Sequence, residues 1–132
     1  MKKPLHNHLL LNGYAKRPFL EENETIEWLR SLVEEIGMKI VQGPFSSYVD
    51  EPGNRGITSS VMIETSHIAM HIWDEDDPAF VQFDLYTCST LPVQGVLDKI
   101  IKDMEIVEYD VMILERSSGF KIIEQGDWNA LV

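Results

Sequence analysis

Residues 57 to 88 contain three successive runs in which apolar and polar side chains alternate: ITSSVMIET, HIAMHIW and AFVQFDLYTC. A period of two places neighbouring side chains on opposite faces of an extended chain, so each run predicts a half-buried β-strand. DEDDP supplies the turn between the last two. Along SHIAMHIW, Ile68, Met70 and Ile72 fall on one face, and His67, Ala69, His71 and Trp73 on the other. Along FVQFDLYTC, Phe80, Gln82, Asp84, Tyr86 and Cys88 share a face, with Cys88 at the strand's end.

Two amphipathic stretches can cover such a sheet. In ENETIEWLRSLVEEIG, Ile26, Leu29, Val33 and Ile36 recur at helical spacing, widened by Trp28 and Leu32. Asn23 reads as its N-cap, acids crowd its first turn, and Gly37 stands at the position after its end. In LPVQGVLDKIIKDM, the stripe is Val93, Val96, Leu97, Ile100, Ile101 and Met104, with Pro92 fitting the first turn. LHNHLLLNGYA predicts a first strand ended by the Gly13 region. MKIVQGPFSSYV predicts a strand that weakens at Gly43-Pro44, and EIVEYDVMILE predicts a last one. DEPGNRG is a loop, and RSSGFKIIEQGDWNALV is a tail of no firm pattern. The order β-α-β-β-β-β-α-β predicts a single domain over residues 1–132. Its class is α/β (α+β): a two-layer sandwich, largely antiparallel, with both helices on one face of the sheet. The other sheet face then needs cover, and a partner subunit supplies it economically.

The net charge of −11, from 22 acids against 11 Lys plus Arg, argues against a surface that tracks phosphates and so against nucleic acid as a partner. It suits a cationic small substrate. The apolar runs HLLL and VMI are too short to span a bilayer, and MKKPLHNHLLLNGY lacks the pattern of a signal peptide. The expectation is a cytoplasmic protein with no membrane partner. A single cysteine, Cys88, rules out a disulfide within the chain and thiolate zinc clusters.

The stretch IETSHIAMHIWDE concentrates Ser66, His67, His71, Asp74 and Glu75. By residue types and spacing it admits three readings. The histidines are hydrogen-bonded residues without chemistry. Or His67 and His71, taken as near neighbours on one face, hold a metal with Glu64, Asp74 or Glu75, although no third ligand has convincing spacing. Or Ser66 is a nucleophile with a histidine as base.

GITSSVMIETSHIAMHIWDE followed by FDLYTC resembles the S-adenosylmethionine decarboxylase family in its small, single-domain prokaryotic class. The matching residues in order are Thr58, Ser66-His67, His71, Trp73, Glu75 and Thr87-Cys88. The flanks agree more loosely, through an HLL opening strand, a Pro-started helix after the cysteine, and a strand ending in an arginine before Gly119.

In that family the serine makes the cofactor from itself. The resemblance therefore implies a cut between Thr65 and Ser66, giving chains 1–65 and 66–132, with a pyruvoyl group from Ser66 and no metal. It implies Thr58 as a donor during processing, His71 as the processing base, and Cys88 as the acid that protonates the substrate's α-carbon. The pyruvoyl carbonyl would form a Schiff base with S-adenosylmethionine and act as an electron sink on loss of CO2. Glu75 would hold the ribose, Tyr48 and Phe45 are the candidate aromatic contacts, and His67 takes a supporting role. The product would serve polyamine (spermidine) synthesis, and the expected assembly is a homodimer.

The chain departs from the family pattern at Thr65, where the family has glutamate. It departs again at Asp74 for proline, Ser89 and Ser59, and in the longer turn DEDDPAF. These departures motivate two alternatives. One is a pyruvoyl decarboxylase of arginine or ornithine, and the other is an unprocessed, non-catalytic binding relative.

Overall fold

The computed structural model describes residues 6–129. In chain order the elements are β1 (Asn7–Ala15), α1 (Glu22–Glu35), β2 (Ile40–Val49), β3 (Gly56–Ile63), β4 (Ser66–Trp73), β5 (Ala79–Thr87), α2 (Val93–Met104), β6 (Ile106–Glu115) and β7 (Lys121–Asn129). Among the described residues seven strands form one sheet in the order β2-β3-β4-β5-β1-β6-β7. Every neighbouring pair is antiparallel. The first strand therefore lies between β5 and β6, which places residues from both ends of the chain beside the central hairpins.

The alternation sorts the sheet's two faces. Leu9, Leu11, Val61, Ile68, Met70, Val81, Phe83 and Leu85 are buried in one cluster with Leu29, Leu32 and Val33 of α1 and Val96, Ile100 and Met104 of α2. Both helices thus cover the same face, as the apolar stripes predict. Trp28 ties the layers together. Its ring meets Phe83 edge-on at 6.2 Å, and its indole N–H donates to Asp103 of α2 at 2.9 Å. The opposite face carries His8, Asn12, Thr58, His67, His71, Trp73, Gln82, Asp84 and Tyr86. Leu10, Tyr14 and Met62 of that face are exposed. Among the described residues no helix is long and apolar enough to cross a membrane.

Several local expectations change. Asn23 lies inside α1, and the N-cap is Glu21, whose carbonyl accepts from the Thr25 hydroxyl at 3.1 Å. Gly37 does end the helix, with φ 72. The Gly37 and Met38 amides close back on Glu34 and Val33, a Schellman arrangement. β1 runs through Gly13 to Ala15, and a side chain at Gly13 would press on the Glu108 carbonyl at 3.3 Å. β2 continues across Gly43-Pro44, where its register with β3 shifts rather than ending. The tail forms a seventh strand on β6. Its residues 121–127 are all exposed, so it carries no alternation, and backbone pairing alone makes it a strand. Leu5, the start of the expected first strand, and residues 130–132 lie outside the described residues.

Candidate active site

β3 and β4 form a hairpin closed by the Ile63–Ser66 pair, with only Glu64 and Thr65 in the turn. Two-residue hairpin loops ordinarily need a positive φ at a turn residue. Here neither Glu64 nor Thr65 has one, and the unusual conformation falls on Ser66, with φ 140. A non-glycine residue held there costs about 1–3 kcal/mol. Its surroundings keep it in place. Glu64 N–H donates to the Lys39 carbonyl at 3.0 Å, and the Thr65 hydroxyl rests on Met38 Sδ at 3.7 Å. The Thr65 carbonyl accepts the backbone N–H of Cys88 at 2.9 Å. Ser66 lies opposite Thr87 on β5. Thr65, Ser66 and Cys88 therefore meet at one end of the sheet, with the Cys88 side chain exposed.

The other end of the same strands gathers a second group. Thr58 lies opposite His71, and its Oγ1 is 3.3 Å from His71 Nδ1. The His71 ring stacks on Trp73 at 5.7 Å, and Trp73 stacks on Phe80 at 5.5 Å. Glu75, just past β4, accepts the backbone N–H groups of Gly53 and Arg55, each at 3.1 Å. Those donors, Arg55 first, hold its carboxyl below the ordinary value of 4.5. The Trp73 indole N–H donates to Asn54 at 2.8 Å, and the Tyr48 hydroxyl donates to Asp74 at 2.8 Å. The hydrogen bond to Asp74 raises the Tyr48 hydroxyl above its ordinary 10.0. Loop residues 50–55 are thus clasped to the end of β4. Phe45 stands exposed farther along β2, opposite Ser60.

Strand geometry keeps these groups apart within one chain. Five residues separate Ser66 from His71, about 16 Å of strand. His67 and His71 do share a face, but four residues put them about 13 Å apart, too far to ligate one metal ion. The site residues expected from the sequence therefore fall into two sets. Thr65, Ser66, His67 and Cys88 lie at one end, and Thr58, His71, Glu75 and Tyr48 at the other.

Sequence reasoning missed what His67 touches. His67 Nε2 is 3.2 Å from Asp84 Oδ1, and His8 Nε2 of β1 is 3.1 Å from the same oxygen. His8 Nδ1 in turn faces Arg116 Nη1 at 3.0 Å. The Arg116 guanidinium lies 4.2 Å over the Tyr86 ring, whose hydroxyl bonds His6 Nδ1 at 2.9 Å. The ligand-type atoms of His8, His67 and Asp84 lie within 4.8 Å of one another. Face parity placed Asp84 and Tyr86 on this side of the sheet. The pairing of β1 with β5, which sets His8 opposite Tyr86, has no local signal in either segment.

Residues 7–117 match the model of the family described as S-adenosylmethionine decarboxylase. The chain is similar to an S-adenosylmethionine decarboxylase proenzyme of a Sulfurihydrogenibium species, 28% identical over 107 residues, covering 81% of this chain and 73% of that protein. A proenzyme of the same name from Archaeoglobus fulgidus is 26% identical over 110 residues, 83% of this chain and 95% of that protein. One from Clostridium botulinum is 35% identical over 71 residues, 53% of this chain and 56% of its own length. With the family model covering nearly every strand of the sheet, this chain belongs to the S-adenosylmethionine decarboxylase family.

Proposed function

We propose that the chain cuts itself between Thr65 and Ser66 and decarboxylates S-adenosylmethionine with the pyruvoyl group so formed. The observation that carries this reading is the hydrogen bond from Cys88 N–H to the Thr65 carbonyl, next to a serine held at φ 140. The residues suit a group made in place. The serine hydroxyl is carried on Cβ, two bonds from its own Cα, beside a carbonyl that already has a donor on its oxygen.

The chemistry follows from those atoms. Ser66 Oγ attacks the Thr65 carbonyl carbon, and negative charge grows on the oxygen that Cys88 N–H already holds. Collapse breaks the C–N bond and leaves an ester. A base then removes the Ser66 α-proton, the Cβ–O bond breaks, and Thr65 leaves as a carboxylate. Hydrolysis of the dehydroalanine at position 66 releases ammonia. A pyruvoyl carbonyl supplies an electron sink for the pair left when CO2 departs. Cys88 is the acid that returns a proton to the substrate's α-carbon in this reading, and its exposure at the same end of the sheet supports that role.

The second set of residues reaches Ser66 only through another copy. A two-fold axis lying between two open sheet faces, and running across the strands, reverses strand direction. It brings Thr58 and His71 of one protomer towards Ser66 of its partner, where His71 serves as the base, and Glu75 and Tyr48 come with them to contact the nucleoside. We therefore read the enzyme as a homodimer, with neither nucleic acid nor membrane as a partner. A cytoplasmic location fits a mechanism that needs Cys88 as a free thiol.

The test is the intact mass of the purified protein under denaturing conditions, followed by CO2 release from S-adenosylmethionine, arginine and ornithine. Two fragments meeting at Thr65-Ser66, the later one blocked by a pyruvoyl group, are expected, with S-adenosylmethionine as substrate. A single 15.2 kDa species without turnover would overturn the reading.

A further inference from the structure

We infer that Asp84, backed by His8 and Arg116, is a positioning residue that holds the residue-66 end of β4 in register after the chain is cut. This rests on the self-cutting proposed above and goes beyond it. Cutting at Thr65-Ser66 turns a closed hairpin into two strand ends, and strand ends fray. On the cofactor side, the first intact side chain is His67. Its Nε2 lies 3.2 Å from Asp84 Oδ1, so β4 is fastened to β5 one residue behind the reacting group.

The direction of the hydrogen bonds follows from Arg116. A guanidinium only donates. His8 Nδ1, 3.0 Å from Arg116 Nη1, must therefore accept, and the His8 proton sits on Nε2. That Nε2–H donates to Asp84 Oδ1 at 3.1 Å. Asp84 thus accepts from His8 on one side and faces His67 on the other. Arg116 is itself fixed, with its backbone N–H on the His6 carbonyl at 2.8 Å and its guanidinium over Tyr86. The network runs from β4 through β5 and β1 to the end of β6, four adjacent strands of the sheet.

The same His8, His67 and Asp84 atoms are close enough to surround a divalent cation. A metal would need the lone pair of His8 Nε2, which moves the proton to Nδ1 against the donating Arg116. The arginine therefore selects the hydrogen-bonded network over a metal site.

The experiment compares full-length wild type, Asp84→Asn, Asp84→Glu and Arg116→Gln. It reads cutting by mass, kcat and KM, and the tautomers of His8 and His67 by long-range 1H–15N NMR. The tautomers are recorded also in Ser66→Ala, which stays uncut. Asp84→Asn is expected to cut normally and to lose about a hundredfold in kcat, with much less change in KM. Asp84→Glu should recover part of the loss. His8 is expected as a single Nε2–H tautomer in wild type and Ser66→Ala, and as a mixture in Arg116→Gln. Wild-type kcat in Asp84→Asn, or a His8 proton on Nδ1, would overturn the inference. So would one zinc ion bound per chain and lost in Asp84→Asn. An uncut wild-type chain would instead sink the self-cutting reading, and the tautomers in Ser66→Ala would still report on the network separately.

Discussion

The backbone N–H of Cys88 lies 2.9 Å from the carbonyl oxygen of Thr65, joining the end of β5 to the turn between β3 and β4. The donor belongs to the backbone, so it survives any side-chain change except proline. Cys88→Ala should therefore still cut, while its turnover falls because the thiol is gone. Cys88→Pro, checked for folding by circular dichroism, should cut at least about a hundredfold more slowly, the usual cost of losing one such donor. Cutting is followed by denaturing gel or mass. Equal cutting rates in the two variants would remove the amide from the mechanism.

Because Thr58 and His71 sit about 16 Å along the strand from Ser66, variants at the two ends should complement. Neither Ser66→Ala nor His71→Ala alone should be cut. Co-expressed, a mixed dimer pairs the intact Ser66 of one chain with the intact His71 of the other. The His71→Ala chain should then be cut, in at most one site per dimer. No cut product from the mixture would show that the two ends do not meet across a dimer.

Glu75 ties loop residues 53 and 55 to the end of β4, and its carboxyl is lowered by those backbone N–H groups. A depressed carboxyl contributes fully above its ordinary value and loses its effect as pH falls through the lowered one. The acid transition in the amide signals of Gly53 and Arg55 should therefore have its midpoint below pH 4.5. In Glu75→Gln that acid transition should vanish, and KM for substrate should rise at neutral pH. An identical acid transition in Glu75→Gln would assign the loop's anchoring elsewhere.

Gly56 opens β3 at φ 147, and a Cβ there would come 1.8 Å from the Ile72 carbonyl oxygen. That neighbour is backbone and cannot step aside. Gly56→Ala should lose about 3 kcal/mol or more of stability, a fall in Tm of roughly 10 °C. Since Thr58 is two residues on, the Thr58–His71 contact should loosen as well. Calorimetry reads the first effect and the His71 ring signals the second. An unchanged Tm would mean that β3 can move away from β4 freely.

Much of the fold is legible locally because it rests on short-range periodicity. The alternation in SHIAMHIW and FVQFDLYTC sorted Ile68, Met70, Phe83 and Leu85 from His67, His71, Asp84 and Tyr86. The stripes of α1 and α2 showed which sides they bury. The family motif likewise lies in two short segments, residues 56–75 and 84–88, so the resemblance alone put forward Ser66, His71 and Cys88. β7 was not, because an exposed strand held by backbone pairing has no side-chain pattern to show.

What only the tertiary structure decided was distance across strands. Antiparallel pairing brings the Cys88 amide to the Thr65 carbonyl, and it sets Thr58 beside His71 but both far from Ser66. It also inserts β1 between β5 and β6, so that His8, Asp84 and Arg116, up to 108 positions apart in the chain, touch in one network. Register and strand order depend on how the whole sheet closes over its helices. No single segment of the sequence carries that information, because a strand's own alternation is satisfied by any partner that covers its apolar face.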